Sequence, residues 1–166
     1  TMARWERGVE DARIDEIVQG VVGDGLCDTG VALVGVGIER GSAALVRHGA
    51  EIGSVDLNAS RWGGRSSIRY AIWCGDSAEI VEVLIGSGGA VNGENGRPLC
   101  DAAWHGRARV CGTLIRAGVD VNGVDEKGNT ALHFAARYGQ RGVRVVLVGR
   151  GANVGAVNND NRTSAA

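Results

Sequence analysis

The chain is poor in proline, in aromatic residues and in long hydrophobic runs. Pro98 is the only proline among 166 residues, and aromatic side chains make up 4% of the sequence. So little proline excludes a collagen triple helix. No apolar segment approaches the ~20 residues that a membrane-spanning helix needs, so we expect a soluble chain.

No charge of one sign predominates either. The chain has 18 basic and 19 acidic residues, a formal net charge of −1, and this balance gives no electrostatic footprint for nucleic acid or an anionic membrane. Its four cysteines contain no Cys-x-x-Cys pair, and residues 1–10 lack the apolar core of a signal peptide. We therefore expect reduced thiols and an intracellular protein, cytoplasmic or nuclear.

Glycine, in contrast, is abundant. The sequence contains 28 glycines, about 17% of the residues where roughly 7% is usual. Because 44% of the residues are hydrophobic, the chain has enough apolar surface for a packed core and is not a flexible linker. The fold must therefore contain many positions that disfavour a Cβ, through a left-handed backbone conformation or a close approach of another segment.

A repeat of about 33 residues organises the chain. Residues 96–106 and 128–139 are alike, and the same 33-residue offset continues into the segments that follow them. The matching pairs are Leu99 and Leu132, Ala102 and Ala135, Ala103 and Ala136, Gly106 and Gly139, Val110 and Val143, Leu114 and Leu147, and Gly118 and Gly151. Residues 68–75 and 79–88 carry the same two segments one unit earlier, and residues 44–52 repeat the second.

These residues resemble the ankyrin repeat, whose signature combines Thr-Pro-Leu-His-x-Ala-Ala with Gly-Ala-Asp-Val-Asn. Thr130-Ala-Leu-His-Phe-Ala-Ala136 and Gly118-Val-Asp-Val-Asn122 carry the likeness, which is strongest over residues 65–155. It implies an all-α solenoid of stacked helix-turn-helix units joined by β-hairpin-like turns. The expected divisions are a degenerate N-terminal capping unit at 1–27, repeats at 28–56, 57–92, 93–122 and 123–155, and a truncated repeat at 156–166, which we expect to fray.

Several glycines are expected to end helices. Those predicted to follow first helices are Gly37, Gly75, Gly106 and Gly139, and those predicted to follow second helices are Gly25, Gly49, Gly88, Gly118 and Gly151. A glycine that adopts a left-handed conformation suits such an end. The surplus glycines inside predicted helices each destabilise the helix by up to ~1 kcal/mol relative to alanine, so a marginally stable solenoid is expected.

One alternative is a dinucleotide-binding turn. Residues 31–46 look like the strand, glycine loop and helix of a short-chain dehydrogenase, and Asp56 follows Gly37 by 19 residues, where an acidic residue could meet a ribose hydroxyl. Against this, Gly37 and Gly41 are separated by three residues instead of two, and no Tyr-x-x-x-Lys pair exists. A dinucleotide-binding oxidoreductase fragment therefore stays a remote alternative.

Catalytic and metal sites have little support in the sequence. Cys74 and His105 occupy equivalent positions in adjacent repeats, yet no acidic residue is placed to orient the histidine, and no pair of residues has zinc-ligand spacing. His133 is predicted to hydrogen-bond the backbone and Thr130 instead of a metal. We expect no enzyme activity, no cofactor, no metal and no small-molecule substrate.

The remaining prediction is a surface that binds a protein partner. In the ankyrin family, partners usually contact the hairpin tips and the exposed positions of the first helices. Those helix positions are predicted to form two rows, Trp73, Trp104 and Arg137 in one and Cys74, His105 and Tyr138 in the other. Tryptophan, tyrosine and arginine are enriched in binding hot spots.

A second tier of contacts is predicted at the hairpins, and it comprises Arg61, Trp62, Arg65, Glu126, Lys127 and Asn129. The resemblance implies a non-catalytic protein-interaction module with a concave binding face. An adaptor or regulatory segment of a larger enzyme or ubiquitin-ligase complex is the alternative function.

Overall fold

The computed structural model describes residues 29–52, 55–60, 63–92 and 97–164. These residues form eight helices: α1 (Thr29–Arg40), α2 (Ala43–Ile52), α3 (Ser67–Cys74), α4 (Ala78–Gly86), α5 (Arg97–Trp104), α6 (Ala108–Arg116), α7 (Ala131–Arg137) and α8 (Arg141–Gly149). Within the described part of the chain, extended pairing is limited to isolated antiparallel bridges such as Val124 with Thr130. The predicted all-α solenoid is confirmed.

The helices alternate between two rows. The odd-numbered first helices α1, α3, α5 and α7 pack against one another in order, and the even-numbered second helices do the same. Ala102, Ala103 and Ala135 are fully buried on the first helices, where a small side chain lets neighbouring helices approach closely. Leu84, Leu114 and Leu147 are fully buried at equivalent positions of the second helices, so one core runs through the stack.

In the repeats from α3 to α8, glycines follow the helices as predicted. Gly106 and Gly139 follow first helices with φ of +73° and +67°, a conformation that a Cβ would strain. Positive φ also occurs at Gly88, Gly118 and Gly151, after the second helices. Gly75 follows α3 as predicted but is extended, with φ of −173°. Gly25 lies outside the described residues, as does the proposed capping unit at 1–27.

Gly37 and Gly49 were predicted to end helices, and this is wrong. Both lie inside helices, because α1 continues to Arg40 and α2 to Ile52. A Cβ added at Gly37 would lie 2.8 Å from the backbone nitrogen of Val46, and one added at Gly49 would lie 2.8 Å from the Cβ of Leu33. These glycines therefore serve close helix packing and do not terminate helices.

The same segment contradicts the dinucleotide-binding alternative. That interpretation needs an extended strand over residues 31–34 followed by a glycine loop at Gly35 to Gly41. Instead, residues 29–40 form one continuous helix. No phosphate-binding turn of that kind forms, and the oxidoreductase interpretation of this segment is wrong.

The start of α7 confirms the structural role predicted for His133. The backbone N–H of Thr130 donates to His133 Nδ1 at 3.1 Å, and His133 Nε2 lies 3.0 Å from the carbonyl oxygen of Arg162. These bonds fit an imidazole that carries its proton on Nε2. His133 is buried, and it connects the start of α7 to the hairpin that follows α8.

That following hairpin is formed, contrary to the predicted fraying beyond about Gly155. Val157 pairs with Thr163 in the same way that Val124 pairs with Thr130. Asn158 donates through Nδ2 to Asn129 Oδ1 at 2.7 Å, and the backbone N–H of Asn159 donates to the Lys127 carbonyl. Hydrogen bonds to the preceding hairpin thus hold the segment without a second helix.

Candidate functional site: the aromatic face of the first helices

The exposed aromatic side chains cluster at the C-terminal ends of the first helices. Trp73 is 51% exposed, Trp104 47% and Tyr138 45%. We call these three residues, together with Arg65 and Arg137, the aromatic face. The sequence predicted all five as partner contacts.

Around Trp73, three side chains of one repeat meet. Its ring stacks on that of Tyr70, with centroids 6.0 Å apart, and the guanidinium of Arg65 lies 5.3 Å from the Trp73 ring centroid. The Tyr70 hydroxyl donates to Glu39 Oε1 on α1 at 2.5 Å. This hydrogen bond, with a smaller effect of burial, raises the pKa of Tyr70 well above its usual value.

Around Trp104, the rings of two repeats stack directly. The Trp104 ring lies 5.7 Å from the Tyr138 ring and 5.5 Å from the His105 ring, with interplanar angles of 25° and 12°. Arg137 lies 5.9 Å from the Tyr138 ring centroid. The ring contact therefore runs diagonally between the two predicted rows, from Trp104 to Tyr138, since Arg137 and not Tyr138 is equivalent to Trp104.

Side chains of the next repeat support the backbone beneath both tryptophans. Arg107 donates to the carbonyl oxygens of Ile72 and Trp73 at 3.2 Å and 3.4 Å, and Gln140 donates to that of Trp104 at 3.2 Å. Arg107 and Gln140 are 33 residues apart, so the same support recurs in two repeats. Carbonyls at a helix C-terminus have no partner inside the helix, and these bonds satisfy them while fixing the helix ends.

Cys74 is exposed but is not activated as a nucleophile. Burial of the thiol raises its pKa, an effect that Glu39 reinforces and that Tyr70, Arg107 and Arg65 only partly oppose. A raised pKa lowers the fraction of reactive thiolate at neutral pH. Burial also raises the pKa of Cys111 to about 12, and Cys27 lies outside the described residues.

The described part of the chain contains no group of three His, Cys, Asp or Glu side chains placed to hold a metal ion. Nor does any helix within it have the length and apolar character needed to cross a bilayer.

Apart from Arg65, which belongs to the aromatic face, the predicted hairpin contacts fall into three groups. Arg61 and Trp62 lie outside the described residues. Glu126 and Lys127 are exposed at the turn before α7. The Asn129 side chain donates to Asp125 Oδ2 at 3.1 Å and accepts from Asn158, so its polar atoms stabilise the hairpin.

Asp125 organises the same turn. Its carboxylate accepts the backbone N–H groups of Lys127 and Asn129 at 2.9 Å and 2.8 Å. Partial burial would by itself raise the pKa of Asp125, but these hydrogen bonds and the nearby Lys127 ammonium outweigh it, and the pKa is lowered.

The sequence interpretation missed three supporting residues, Tyr70, Arg107 and Gln140. Tyr70 precedes Trp73 by three positions, a spacing that places both on one helix face, so the spacing could have revealed the pair. Arg107 had no comparable signal, because its role depends on how far its side chain reaches into the preceding repeat.

Comparison with known proteins agrees with this geometry. A family model described as ankyrin repeats, in three copies, matches residues 68–158, more than half of the chain. The chain is 30% identical over 121 residues to the E3 ubiquitin-protein ligase KEG of Arabidopsis thaliana, covering 69% of this chain and 7% of that protein. It is 26% identical over 103 residues to the putative ankyrin repeat protein FPV034 of Fowlpox virus, covering 62% and 25%.

A shorter match is to the human ankyrin repeat domain-containing protein 13B, which is 40% identical over 62 residues and covers 37% of this chain and 10% of that protein. The chain thus spans a quarter or less of the length of these relatives. The family match, the stacked helix pairs and the 33-residue period all agree: the chain belongs to the ankyrin-repeat family.

Proposed function

We propose that this chain is a non-catalytic module that binds a partner protein through its aromatic face and hairpin tips. Ankyrin repeats generally are protein-interaction modules. The observation that carries the proposal is the exposure of Trp73, Trp104 and Tyr138 on one face, each about half open to solvent. Large apolar groups gathered on a surface mark interaction sites, and tryptophan and tyrosine are common hot-spot residues.

The aromatic face is also pre-organised for binding. The stacked rings of Trp104 and Tyr138 restrict each other's orientation. Hydrogen bonds from Arg107 and Gln140 fix the helix ends that carry the two tryptophans. Side chains already ordered in the free protein lose little conformational entropy when a partner binds. Most of the free energy gained from the contacts is therefore available to stabilise the complex.

The hairpin tips extend the proposed surface. Arg61, Trp62, Glu126 and Lys127 are proposed as flanking contacts, and Cys74 and His105 lie beside the tryptophans. Asn129 is proposed to act through the shape of its turn, because its side chain is engaged with Asp125 and Asn158.

The test is Trp104→Ala, measured against a partner first captured with the wild-type chain. Loss of the ring should weaken binding about tenfold or more, corresponding to about 1–2 kcal/mol. Val145→Ala is the matched control, because Val145 is 74% exposed on α8, away from the aromatic face. Helical circular dichroism of both variants should equal that of the wild type.

Two results would contradict the proposal. If Trp104→Ala binds the partner as tightly as Val145→Ala does, the partner binds elsewhere. If Trp104→Ala instead abolishes the helical signal, the tryptophan is a structural residue. A Trp73→Ala variant leaves the Trp104–Tyr138 stack intact. It therefore tests binding by the aromatic face separately, even where Trp104→Ala disrupts the fold.

The similarity to the plant ubiquitin ligase favours a second candidate, in which the chain recruits a protein to a larger enzyme assembly. In that case, affinity capture with the wild-type chain should recover ubiquitin-ligase subunits or their substrates. A Trp73→Ala/Trp104→Ala double variant should lose them. Captured proteins that include no such component would leave the plain interaction module as the function.

A further inference from the structure

Two positive charges belong to the aromatic face, and a third lies next to it. The guanidinium of Arg65 lies over Trp73 and that of Arg137 lies beside the Tyr138 ring. The third is Arg107, whose guanidinium donates to the backbone carbonyl oxygens of Ile72 and Trp73 at the end of α3. Among the described residues, neither Arg65 nor Arg137 forms an ion pair.

The acidic side chains nearby are already engaged. Asp101 forms an ion pair with Arg69 at 2.7 Å between α5 and α3. Glu39 accepts the hydroxyl hydrogen of Tyr70. Asp101 is thus neutralised by Arg69, whereas Glu39 keeps its negative charge beside Tyr70 without pairing with Arg65 or Arg137. The two arginines flank the exposed rings.

We propose that the partner segment bound by the aromatic face is an acidic peptide with apolar side chains between its carboxylates. The proposal rests on the function proposed above and specifies the chemistry of the partner. An arginine stacked on a ring keeps its N–H groups directed outward in the plane of the guanidinium, where they can bind a carboxylate in bidentate fashion. The rings between the arginines provide apolar contact area.

The distance between Trp73 and Trp104 favours a peptide over a single small anion as the ligand. Trp73 and Trp104 lie on helices α3 and α5, which pack as neighbours, and neighbouring helices are separated by about 8–10 Å. A segment of a few residues spans that distance, since an extended chain covers about 3.3 Å per residue. One apolar side chain can thus contact each aromatic cluster.

The experiment begins by selecting peptides from a random display library on the immobilised whole chain. Enriched peptides are expected to be net acidic and to contain apolar residues. Their affinity is then measured with the Arg65→Glu/Arg137→Glu double variant, and we expect binding to weaken about fivefold or more. Arg47→Glu/Arg150→Glu is the matched control, because it makes the same charge change at exposed positions on the second-helix side and should weaken binding less than about twofold.

The outcomes separate this inference from the proposed function. Peptides that lose affinity with Trp104→Ala but show no acidic bias, or that are insensitive to Arg65→Glu/Arg137→Glu, overturn only the acidic-partner proposal. Peptides insensitive to Trp104→Ala, or no enrichment above an unrelated protein, overturn both. Binding of a single-stranded oligonucleotide through Arg65 and Arg137, with no binding of acidic peptides, would also overturn the proposal in favour of a phosphate ligand.

Discussion

The α1–α2 pair and the regular repeats from α3 to α8 pack their helices in different ways. In the regular repeats, alanines and leucines such as Ala103 and Leu114 fill the space between helices. In the α1–α2 pair, backbone packs against backbone: a Cβ added at Gly49 would lie 2.9 Å from the carbonyl oxygen of Gly30 and from the Val34 nitrogen. Inside the helices of the α1–α2 pair, glycine therefore has a packing role.

The difference shows that glycine content alone does not measure stability. In the α1–α2 pair, glycine is required, because any side chain at Gly37 or Gly49 would push the helices apart. In α6, Gly112 has open space around it, with no atom within 4 Å of an added Cβ. There glycine only weakens the helix, through the extra backbone entropy that it loses on folding.

The largest effect is expected from Gly49→Ala. The new Cβ would overlap the backbone of α1 and Leu33, none of which can rotate away, and overpacking of this kind costs about 1–3 kcal/mol or more. Urea unfolding followed by circular dichroism should show a loss of about 3 kcal/mol. A loss below about 0.5 kcal/mol would mean that the α1–α2 pair is not tightly packed in solution.

The next largest effect is expected from His133→Ala in the regular repeats. It leaves the buried Thr130 N–H and the Arg162 carbonyl without their partner, and an unsatisfied buried group costs about 1–3 kcal/mol. Thermal and urea unfolding should show a loss of about 2 kcal/mol. His105→Ala, which removes a partly exposed imidazole, is the control and should change stability by less than about 0.5 kcal/mol.

A smaller effect of opposite sign is expected from Gly112→Ala. Alanine is favoured over glycine in a helix interior by about 0.5–1 kcal/mol, and no neighbour of Gly112 has to move. The free energy of unfolding should therefore rise by that amount. Equal destabilisation by Gly112→Ala and Gly49→Ala would contradict the distinction between the two regions.

The smallest effect is a pH dependence at the hairpin before α7. Because the folded state lowers the pKa of Asp125, the unfolded chain binds the proton first, and acidification favours unfolding. The stability advantage of the wild type over Asp125→Asn, below about 1 kcal/mol, should be complete above the ordinary Asp pKa of about 3.9. It should then disappear as the pH falls through the lowered folded pKa. An advantage that persists below that pKa would contradict a role for the charge.

Much of the regular region follows from local sequence. The resemblance of the 33-residue repeat to the ankyrin family predicted the stacked helix pairs. Positive φ was predicted at Gly106 and Gly139 because a left-handed glycine suits a helix end. His133 was also predicted, since its contact with Thr130 is local. Gly37 and Gly49 were mispredicted because a glycine that ends a helix and one that permits close packing look the same in a sequence.

For the candidate site too, some features were predictable from the sequence and others depended on the tertiary structure. The sequence alone determined the repeat. Through its resemblance to the ankyrin family, it also gave the order of the helices and the exposed positions of Trp73, Trp104 and Tyr138, because in that repeat the residues just after the Ala-Ala pair face away from the core. The tertiary structure decided that Trp104 stacks on Tyr138 and that α1 and α2 touch through their glycines. Those contacts depend on side-chain rotamers and on distances between separate helices, which local periodicity does not specify.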